Sequence, residues 1–242
     1  MVTEIGVIKK IFRYPVKSMA GESLENCSLG WHGLEDDRRF SFRRMEDSGG
    51  FPWLTAGRLP ALIRYQPFWV ESGAEAKPVL HIRTPEGKEL DAGSEALRAE
   101  IAKAYGKDVQ LMQFNHGIFD EAAVSLIHSS TIQGLEAECG KPLDVRRFRP
   151  NLLIESNSTS PFAEDAWVGR ILQFGSEDGP AISITLRDVR CAMVNLDPDT
   201  AESDPVVLKS VARVNEVCAG VYATVTKTGV VAVGQKLFLK SL

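Results

Sequence analysis

Short apolar stretches alternate with polar residues along this chain, and turn residues separate them at close intervals. Alternation with a period of two predicts β-strands. The predicted strands cover residues 3–16, 38–43, 61–70, 79–83, 88–90, 109–114, 122–127, 151–154, 170–174, 181–186, 221–226, 230–233 and 236–239. The turn sequence at 84–87 predicts a hairpin around it, and the polar stretch 115–121 predicts a loop.

Three segments instead repeat apolar residues every three or four positions, which predicts helices. The first begins after Ser94, a favoured N-cap, and ends at Gly106. The second opens with a capping box, in which Ser130 is the N-cap and a glutamine follows three residues later, and it ends at Gly140. The third covers residues 206–218.

The strands are short and the helices are few, which favours a β-barrel or sandwich over an alternating parallel sheet. The sequence therefore predicts a mainly β fold of the α+β class with a few short helices. Its 242 residues, 44% of them hydrophobic, suffice for one large core or two smaller ones. The first helix is predicted to close an N-terminal unit, and a second unit is predicted to begin near Asp108.

The charge balance gives no support for binding to nucleic acid or to an anionic membrane. Lys and Arg total 28 against 32 Asp and Glu, a formal net charge of -4. The first residues lack a basic region followed by an apolar stretch, and no segment approaches the roughly 18 apolar residues of a membrane-spanning helix. We therefore expect no nucleic-acid partner, no membrane association and a cytoplasmic location.

One cysteine stands out among the four in the sequence. Cys27, Cys139, Cys191 and Cys218 lie far apart, so neither a zinc site nor a disulfide framework is indicated, and reduced thiols are expected. Cys191 follows an arginine at the end of a strand-like run and precedes the turn at 197–200. Such a position suits an electropositive, partly accessible thiolate that attacks substrates or binds metals. The alternative reading is an inert cysteine of the core.

Basic residues cluster next to predicted strand ends. Arg147 and Arg149 precede one strand, Lys17 and Ser18 follow another, and Arg38 opens a third. Guanidinium and ammonium groups so placed suit a phosphate or a carboxylate, whereas the alternative for each cluster is a solvated surface with ordinary ion pairs. All the clusters acting together with one thiolate would suit a phosphate-bearing metal cofactor.

Other chemical templates are not matched by the sequence. It contains no GxGxxG after a strand and no GxxxxGK[ST], so nucleotide binding of those two kinds lacks support. HExxH and GxSxG are also absent. The histidines show no metal-ligand spacing, and His128 is expected to be a hydrogen-bonded structural residue.

Six motifs occur in an order that resembles the MOSC proteins, named for the molybdenum cofactor sulfurase C-terminal domain. The likeness is greatest to the branch that contains the mitochondrial amidoxime-reducing component and its bacterial relatives. The motifs are Tyr14-Pro15-Val16-Lys17-Ser18, Asp37-Arg38-Arg39-Phe40, Leu54-Thr55-Ala56-Gly57-Arg58, Arg147-Phe148-Arg149-Pro150-Asn151, Ala163-Glu164-Asp165-Ala166-Trp167, and Arg190-Cys191 followed by Asp197-Pro198-Asp199-Thr200. Each motif is weak by itself, but six in one order are specific.

The resemblance implies a fold and a cofactor. It implies an N-terminal β-barrel-like domain over residues 1–114, packed on a C-terminal MOSC β-barrel over 115–242. It places a molybdenum cofactor (Mo-molybdopterin) in the cleft between them and makes Cys191 the thiolate ligand of the metal. The residues it implies as cofactor contacts are Lys17, Ser18, Arg38, Ser129, Arg147, Phe148, Arg149 and Asn151. Asp199 matches a candidate carboxylate that supports the ligand or delivers protons.

The function implied is an oxidoreductase that reduces small N-hydroxylated compounds by oxygen-atom transfer. Because the cysteines do not cluster as in a ferredoxin-like domain, electrons are expected from a separate ferredoxin-, flavodoxin- or cytochrome-type protein. Met19 stands where many relatives have cysteine, so a possible second thiol is absent. Two alternatives stay open: a sulfur carrier with a persulfide on Cys191, and a non-catalytic carrier of the molybdenum cofactor.

Overall fold

A computed structural model describes residues 2–71, 73, 77–156, 158–176 and 178–240. Over these residues the chain is mainly β with a few short helices, which confirms the predicted fold class. The strands are β1 (Val2–Arg13), β2 (Glu22–Leu24), β3 (Asn26–Gly30), β4 (Gly33–Leu34), β5 (Phe40–Arg44), β6 (Gln66–Val70), β7 (Val79–Arg83), β8 (Glu89–Asp91), β9 (Val109–Gln113), β10 (Val124–His128), β11 (Leu152–Ser156), β12 (Ile171–Phe174), β13 (Ala181–Val189), β14 (Cys218–Lys227), β15 (Gly229–Ala232) and β16 (Lys236–Lys240). The helices are α1 (Glu95–Tyr105), α2 (Ser129–Cys139) and α3 (Val206–Asn215), with 3-10 turns at Pro60–Arg64, Val145–Phe148, Ala163–Trp167 and Ala192–Asn195.

Seven strands close into a barrel. Around it the order is β1, β11, β10, β14, β13, β12 and β16, and β16 pairs with β1 again. Neighbouring strands are antiparallel except β10 and β11, which run parallel. Closure gives every barrel strand two neighbours, which removes the exposed edges that invite pairing with other chains.

The two halves of the chain are interleaved. Three smaller sheets lie outside the barrel, in the orders β15-β3-β4, β5-β9 and β6-β7-β8. β1 comes from the start of the chain yet completes the barrel of the second half, and β15 comes from near the end yet pairs with β3. The domain boundary at residue 114 stays a prediction, and these two strands pair across it.

Three clusters of buried apolar residues hold the elements together. The first fills the barrel and includes Ile8 and Leu126, and the second, around Leu97 of α1, joins the small sheets. The third packs α2 and α3 against the barrel and includes Phe148 and Val194, which flank the predicted functional residues. Each fully buried side chain of this size contributes about 1.5–3 kcal/mol of transfer free energy.

The strand predicted at 61–70 is wrong in its first half. Pro60–Arg64 is a 3-10 helix, and β6 begins only at Gln66. Proline at the start of a helical turn presets φ and has no N–H to leave unpaired. The adjacent Leu62 and Ile63 are both buried, which an alternating strand with one buried face would not allow.

The predicted ends of helix α1 are confirmed. Its N-cap is Ser94, whose side chain accepts a hydrogen bond from the backbone N–H of Leu97, and Gly106 ends it in the left-handed region. The cap predicted for α2 is wrong, because the helix begins at Ser129 and the ring of His128 accepts a hydrogen bond from the N–H of Ser130. The cap that was attributed to a serine is therefore supplied by a histidine.

Helix α3 is shorter than predicted and ends at Asn215. Glu216 and Val217 have φ of 52° and 66°, so the backbone leaves the helical direction before Cys218. Cys218 is the first residue of β14, and its carbonyl accepts a hydrogen bond from the side chain of Asn215. The apolar spacing that predicted a helix to residue 218 therefore spans the end of a helix and the start of a strand.

Candidate functional site

A cavity of about 680 Å³ lies between the barrel and the N-terminal segments, within the size range of small-molecule and cofactor sites. It collects seven of the residues predicted for the site. They are Lys17, Ser18, Arg38, Arg147, Phe148, Arg149 and Cys191. The cavity therefore brings together both sequence features, the basic clusters and the thiol.

Two segments of the N-terminal half lie side by side at the basic end. The backbone N–H of Lys17 donates to the carbonyl of Phe40 at 2.8 Å, and the N–H of Arg38 donates to the carbonyl of Tyr14 at 2.7 Å. Ser18 and Arg38 have φ of 66° and 53°, a left-handed conformation that is costly for side chains other than glycine. Contacts with surrounding residues maintain such a strained backbone. Here the side chains of Ser18 and Arg38 both line the same cavity.

Two arginines pack on the ring of the buried Tyr14. The guanidinium of Arg149 lies 4.2 Å from the ring centre, and that of Arg38 lies 4.8 Å from it. Burial raises the pKa of Tyr14 to about 12. Burial lowers the pKa of Arg149 to about 10, and the positive charge of Arg38 acts in the same direction. Tyr14 therefore provides a neutral aromatic surface on which two cations are held close together.

Arg149 keeps one donor unused. Its Nη1 donates to the carbonyl of Met19 at 2.6 Å, and its own carbonyl accepts from Nη2 of Arg38 at 3.0 Å. Its Nη2 is buried and has no hydrogen-bond partner among the described residues. A buried donor without a partner costs about 1–3 kcal/mol, so this position favours an anionic ligand.

Other cations of the cavity already have internal partners. Nζ of Lys17, a residue 6% exposed, donates to Asp120 at 2.8 Å and to the carbonyl of Ile118 at 3.1 Å. Burial lowers the pKa of Lys17, although Asp120 opposes the shift. Arg147 donates to Asp197 at 2.7 Å and to the carbonyl of Asn195 at 2.9 Å. These bonds fix the positions of the basic groups.

The thiol of Cys191 lies on the same cavity and is exposed. Cys191 follows β13 and immediately precedes the 3-10 turn Ala192–Asn195. Of the other cysteines, Cys27 and Cys218 are buried and Cys139 is half-buried, and all four are free thiols. The reading of Cys191 as a cysteine of the core is wrong, because the residue is exposed and lines a cavity.

A buried ion pair stands beside the thiol. Asp188 and Arg190 are joined through Oδ2 and Nη2 at 2.8 Å, and the same Oδ2 accepts from the hydroxyl of Ser125 at 2.9 Å. Arg190 also donates to the carbonyls of Phe148 and Ala219, each at 2.7 Å. Burial raises the pKa of Asp188, although Arg190 opposes the shift. The residue next to Cys191 is thus held by three elements.

Three predicted residues lie outside the cavity lining. Ser129 donates its hydroxyl to the carbonyl of Ile154 at 2.9 Å, within the start of α2. Asn151 is buried, accepts from the N–H of Ser125 at 3.1 Å and donates to the carbonyl of Phe12 at 3.3 Å. Asp199 is 69% exposed and pairs with both terminal nitrogens of Arg146. Their predicted roles stay predictions, and the observed contacts are to protein groups.

Sequence reasoning missed several residues that line the cavity or support it. Asp120 and Ser125 belong to stretches read as a loop and an apolar strand, and Asp188 belongs to a strand in which polar residues are expected to face solvent. One signal in the sequence could have found Asp188, since it lies three residues before Cys191. Tyr14 lay within a recognised motif, yet its stacking depends on two arginines that lie far along the chain.

The residues present fit the molybdenum cofactor that the resemblance implies. Arg149 offers a free buried donor at the basic end, where an anionic group would bind, and Cys191 offers an accessible sulfur, a ligand type suited to a soft metal. Among the described residues no group of three or more His, Cys, Asp or Glu side chains is arranged to hold a metal ion. In the same residues no helix combines the length and apolar character needed to cross a bilayer.

Comparisons with known proteins agree with the fold. Residues 5–130 match the family model of the MOSC N-terminal beta barrel domain, and residues 113–238 match that of the MOSC domain. No curated protein matches the chain. The crystal structure of the YuaD protein from Bacillus subtilis is 11% identical, with 100% of both chains covered and a TM-score of 0.53. That of YiiM from Geobacillus stearothermophilus is 18% identical over 49% of this chain and 54% of that chain, with a TM-score of 0.39. The YuaD likeness shows the fold alone.

Proposed function

Because this chain belongs to the MOSC family, we propose that it binds a molybdenum cofactor and reduces N-hydroxylated compounds by oxygen-atom transfer. An accessible thiol and a group of cations with an unpaired donor line one cavity, and this coincidence supports the proposal. Arg149, Lys17, Ser18 and Arg38 would hold the anionic part of the cofactor. Cys191 would be the protein ligand of the metal.

The chain's own residues would bind and orient the reactants. When bound, the cofactor supplies a metal that changes oxidation state as an oxygen atom is transferred. The bonds of Arg190 to the carbonyls of Phe148 and Ala219 fix the backbone beside Cys191. A small substrate would enter at the exposed Val189, next to the thiol.

The proposal includes a separate electron donor of ferredoxin, flavodoxin or cytochrome type, because the four cysteines lie far apart in sequence and are free thiols. It also includes a small-molecule substrate and a cytoplasmic location. An artificial reductant can replace the donor protein in a test, which separates the chemistry of the cavity from recognition of the donor.

The deciding experiment compares two cysteine variants made in a host that synthesises the cofactor. We expect the wild-type chain to carry stoichiometric molybdenum and to convert a hydroxylamine to an amine with a reduced dye. Cys191→Ala should lose both, with activity lower by at least about a hundredfold. Cys139→Ala, at a half-buried thiol of α2, is the matched control and should keep both. Normal molybdenum content and turnover in Cys191→Ala would refute the assignment of the ligand.

A second candidate function uses the same exposed thiol as a sulfur carrier. In that case Cys191 would bear a persulfide, and the wild-type chain would lack the reductase activity. Mass spectrometry of the intact protein distinguishes the two functions, since an added sulfur on Cys191 is expected only for the carrier. A chain that holds molybdenum but reduces no N-hydroxylated compound would instead support a non-catalytic cofactor carrier.

A further inference from the structure

Asp188 presents an unused carboxylate oxygen beside the proposed metal ligand. It lies at the end of β13, three residues before Cys191, and lines the same cavity although only 1% of the residue is exposed. Its Oδ2 is engaged by Ser125 and Arg190. No described residue donates to Oδ1 or pairs with it. One oxygen is therefore fixed by the protein, and the other is free for a ligand.

The surroundings hold this carboxyl in one orientation. Arg190 is tied by two backbone carbonyls on different elements, so it cannot turn to take the second oxygen. Ser125 approaches from β10 and engages the same oxygen as the arginine. Ser125 donates to Oδ2 and the guanidinium of Arg190 lies against the same atom, so Oδ1 is the atom that would carry a proton, because a proton on Oδ2 would face the cation.

The charged and titratable groups around Asp188 come from several elements, and their effects are unequal. Burial is the largest effect and raises the pKa of Asp188. Arg190 on the same segment and Arg38 before β5 oppose it, whereas Asp120 in the loop before β10 adds to it. Tyr222 of β14 lies nearby, and the charge of Asp188 adds to burial in raising the pKa of that phenol. On balance the pKa of Asp188 lies above its ordinary value.

We propose that Asp188 is the catalytic proton donor of the cavity and delivers a proton from Oδ1 to the oxygen that leaves the substrate as water. The assignment rests on the proposed reduction of N-hydroxylated compounds. In that reaction the N–O bond breaks, the reduced donor protein supplies two electrons, two protons are taken up, and an amine and water leave. Asp188 supplies one of the protons and regains it from solvent through the open side of the cavity.

Asp199 is the carboxylate that the sequence motif offered for this task, and its surroundings differ. It is 69% exposed, both of its oxygens face Arg146, and it does not line the cavity. Asp188 has the opposite properties in each respect. Its burial, its free oxygen and its place on the cavity make it the better proton donor.

The first test measures the reductase as a function of pH with a reduced dye as donor. The wild-type rate should fall as pH rises through the pKa of Asp188, because the donor is then ionised. Asp188→Asn should lose about a hundredfold or more in turnover and should not show this fall, while it keeps wild-type molybdenum content. Asp178→Asn is the matched control, since that carboxylate is exposed in the turn before β13. A fully loaded Asp188→Asn enzyme with wild-type rate and pH profile would overturn the proposal.

The second test needs neither turnover nor a variant that loads the cofactor. Carbon NMR of the cofactor-free chain, with labelled aspartate, follows the protonation of Asp188, and the missing signal of Asp188→Asn identifies it. We expect Asp188 to titrate above the ordinary range of an aspartate. Titration of Asp188 within the ordinary range of an aspartate would overturn the proposal, whether or not the variant loads the cofactor. A wild-type chain that holds molybdenum yet reduces no N-hydroxylated compound would refute the proposed function instead, whatever the NMR result.

Discussion

Two buried aspartate–arginine pairs lie at the same cavity, and they use their carboxylates differently. Asp37 uses both oxygens, since Oδ1 accepts from the backbone N–H of Tyr14 at 2.7 Å and Oδ2 pairs with Arg38. Asp188 uses only Oδ2, which serves both Ser125 and Arg190. The first carboxylate is held at both atoms, and the second has one atom left for chemistry.

The electrostatic outcomes differ in the same way. Burial disfavours the charge of Arg38, yet Asp37 together with Tyr14 and Tyr222 opposes it, and the pKa of Arg38 is raised. At the other pair burial outweighs the attraction of Arg190, and the pKa of Asp188 is raised. Asp37 thus supports the charge of its cation, whereas at Asp188 burial is the dominant effect. The effect of a buried ion pair on its two charges therefore depends on the contacts of each carboxylate oxygen.

The strongest test of this comparison removes the charge of Asp37. We expect Asp37→Asn to lower the free energy of unfolding by about 3–5 kcal/mol, because the amide leaves the charge of Arg38 buried without a counterion. Urea unfolding near neutral pH measures the loss. Glu155→Gln is the control, since Glu155 pairs with Lys9 on the surface and such pairs contribute less than about 1 kcal/mol. Equal small losses in the two variants would refute the account of Asp37.

The next test disturbs the place where Arg190 lies. Gly220 has φ of +86°, and a Cβ there would lie 2.6 Å from the carbonyl oxygen of Leu126 and 3.1 Å from Nη2 of Arg190. We expect Gly220→Ala to cost about 2 kcal/mol through strain and displacement of Arg190. Gly234→Ala is the matched control, because Gly234 has a similar φ of +79° and open space around it. Thermal unfolding of both variants isolates the clash, and equal losses would show that Arg190 is not displaced.

The smallest expected effect concerns pH. The raised pKa of Asp188 means that the folded chain binds more protons than the unfolded chain above the ordinary value of about 3.9. The contribution of Asp188 to the free energy of unfolding of the wild type is therefore lost as pH rises from its ordinary pKa to its pKa in the folded chain. Asp188→Asn has no such loss, so its stability relative to wild type should rise with pH by about 1.4 kcal/mol per unit of pKa separation. Urea unfolding at several pH values checks this, and a constant difference would contradict it.

The sequence predicted those parts of the fold that depend on local signals. β7, β12 and α1 are bounded by turn or cap residues, and each was found with nearly its observed ends. The strands β2 and β4 were missed because three and two residues are too few to show alternation, and β3 was missed because it is held by β4 and by the distant β15. Their stability comes from those partners, which no local pattern reveals.

In the candidate site, too, the residues marked by local motifs were predicted and those that depend on long-range contacts were not. Cys191, Lys17, Arg38 and Arg149 were found because motifs mark them, and the cavity collects all four. A motif does not give the direction of a side chain, and Asn151 turns to backbone groups of its neighbours instead. Asp188 was missed because its partner Ser125 lies 63 residues away, and the pairing exists only in the folded barrel.

The pairing of β1 with β16 has a consequence for how the molecule forms. Register partners such as Glu4 and Phe238 are separated by most of the sequence, so contact order is high and closure is expected to be slow. During synthesis the edge of β1 that pairs with β16 stays unpaired until β16 has been made. A chain interrupted before β16 would leave that edge of β1 exposed, and unpaired strand edges of this kind are prone to aggregation and need protection by chaperones.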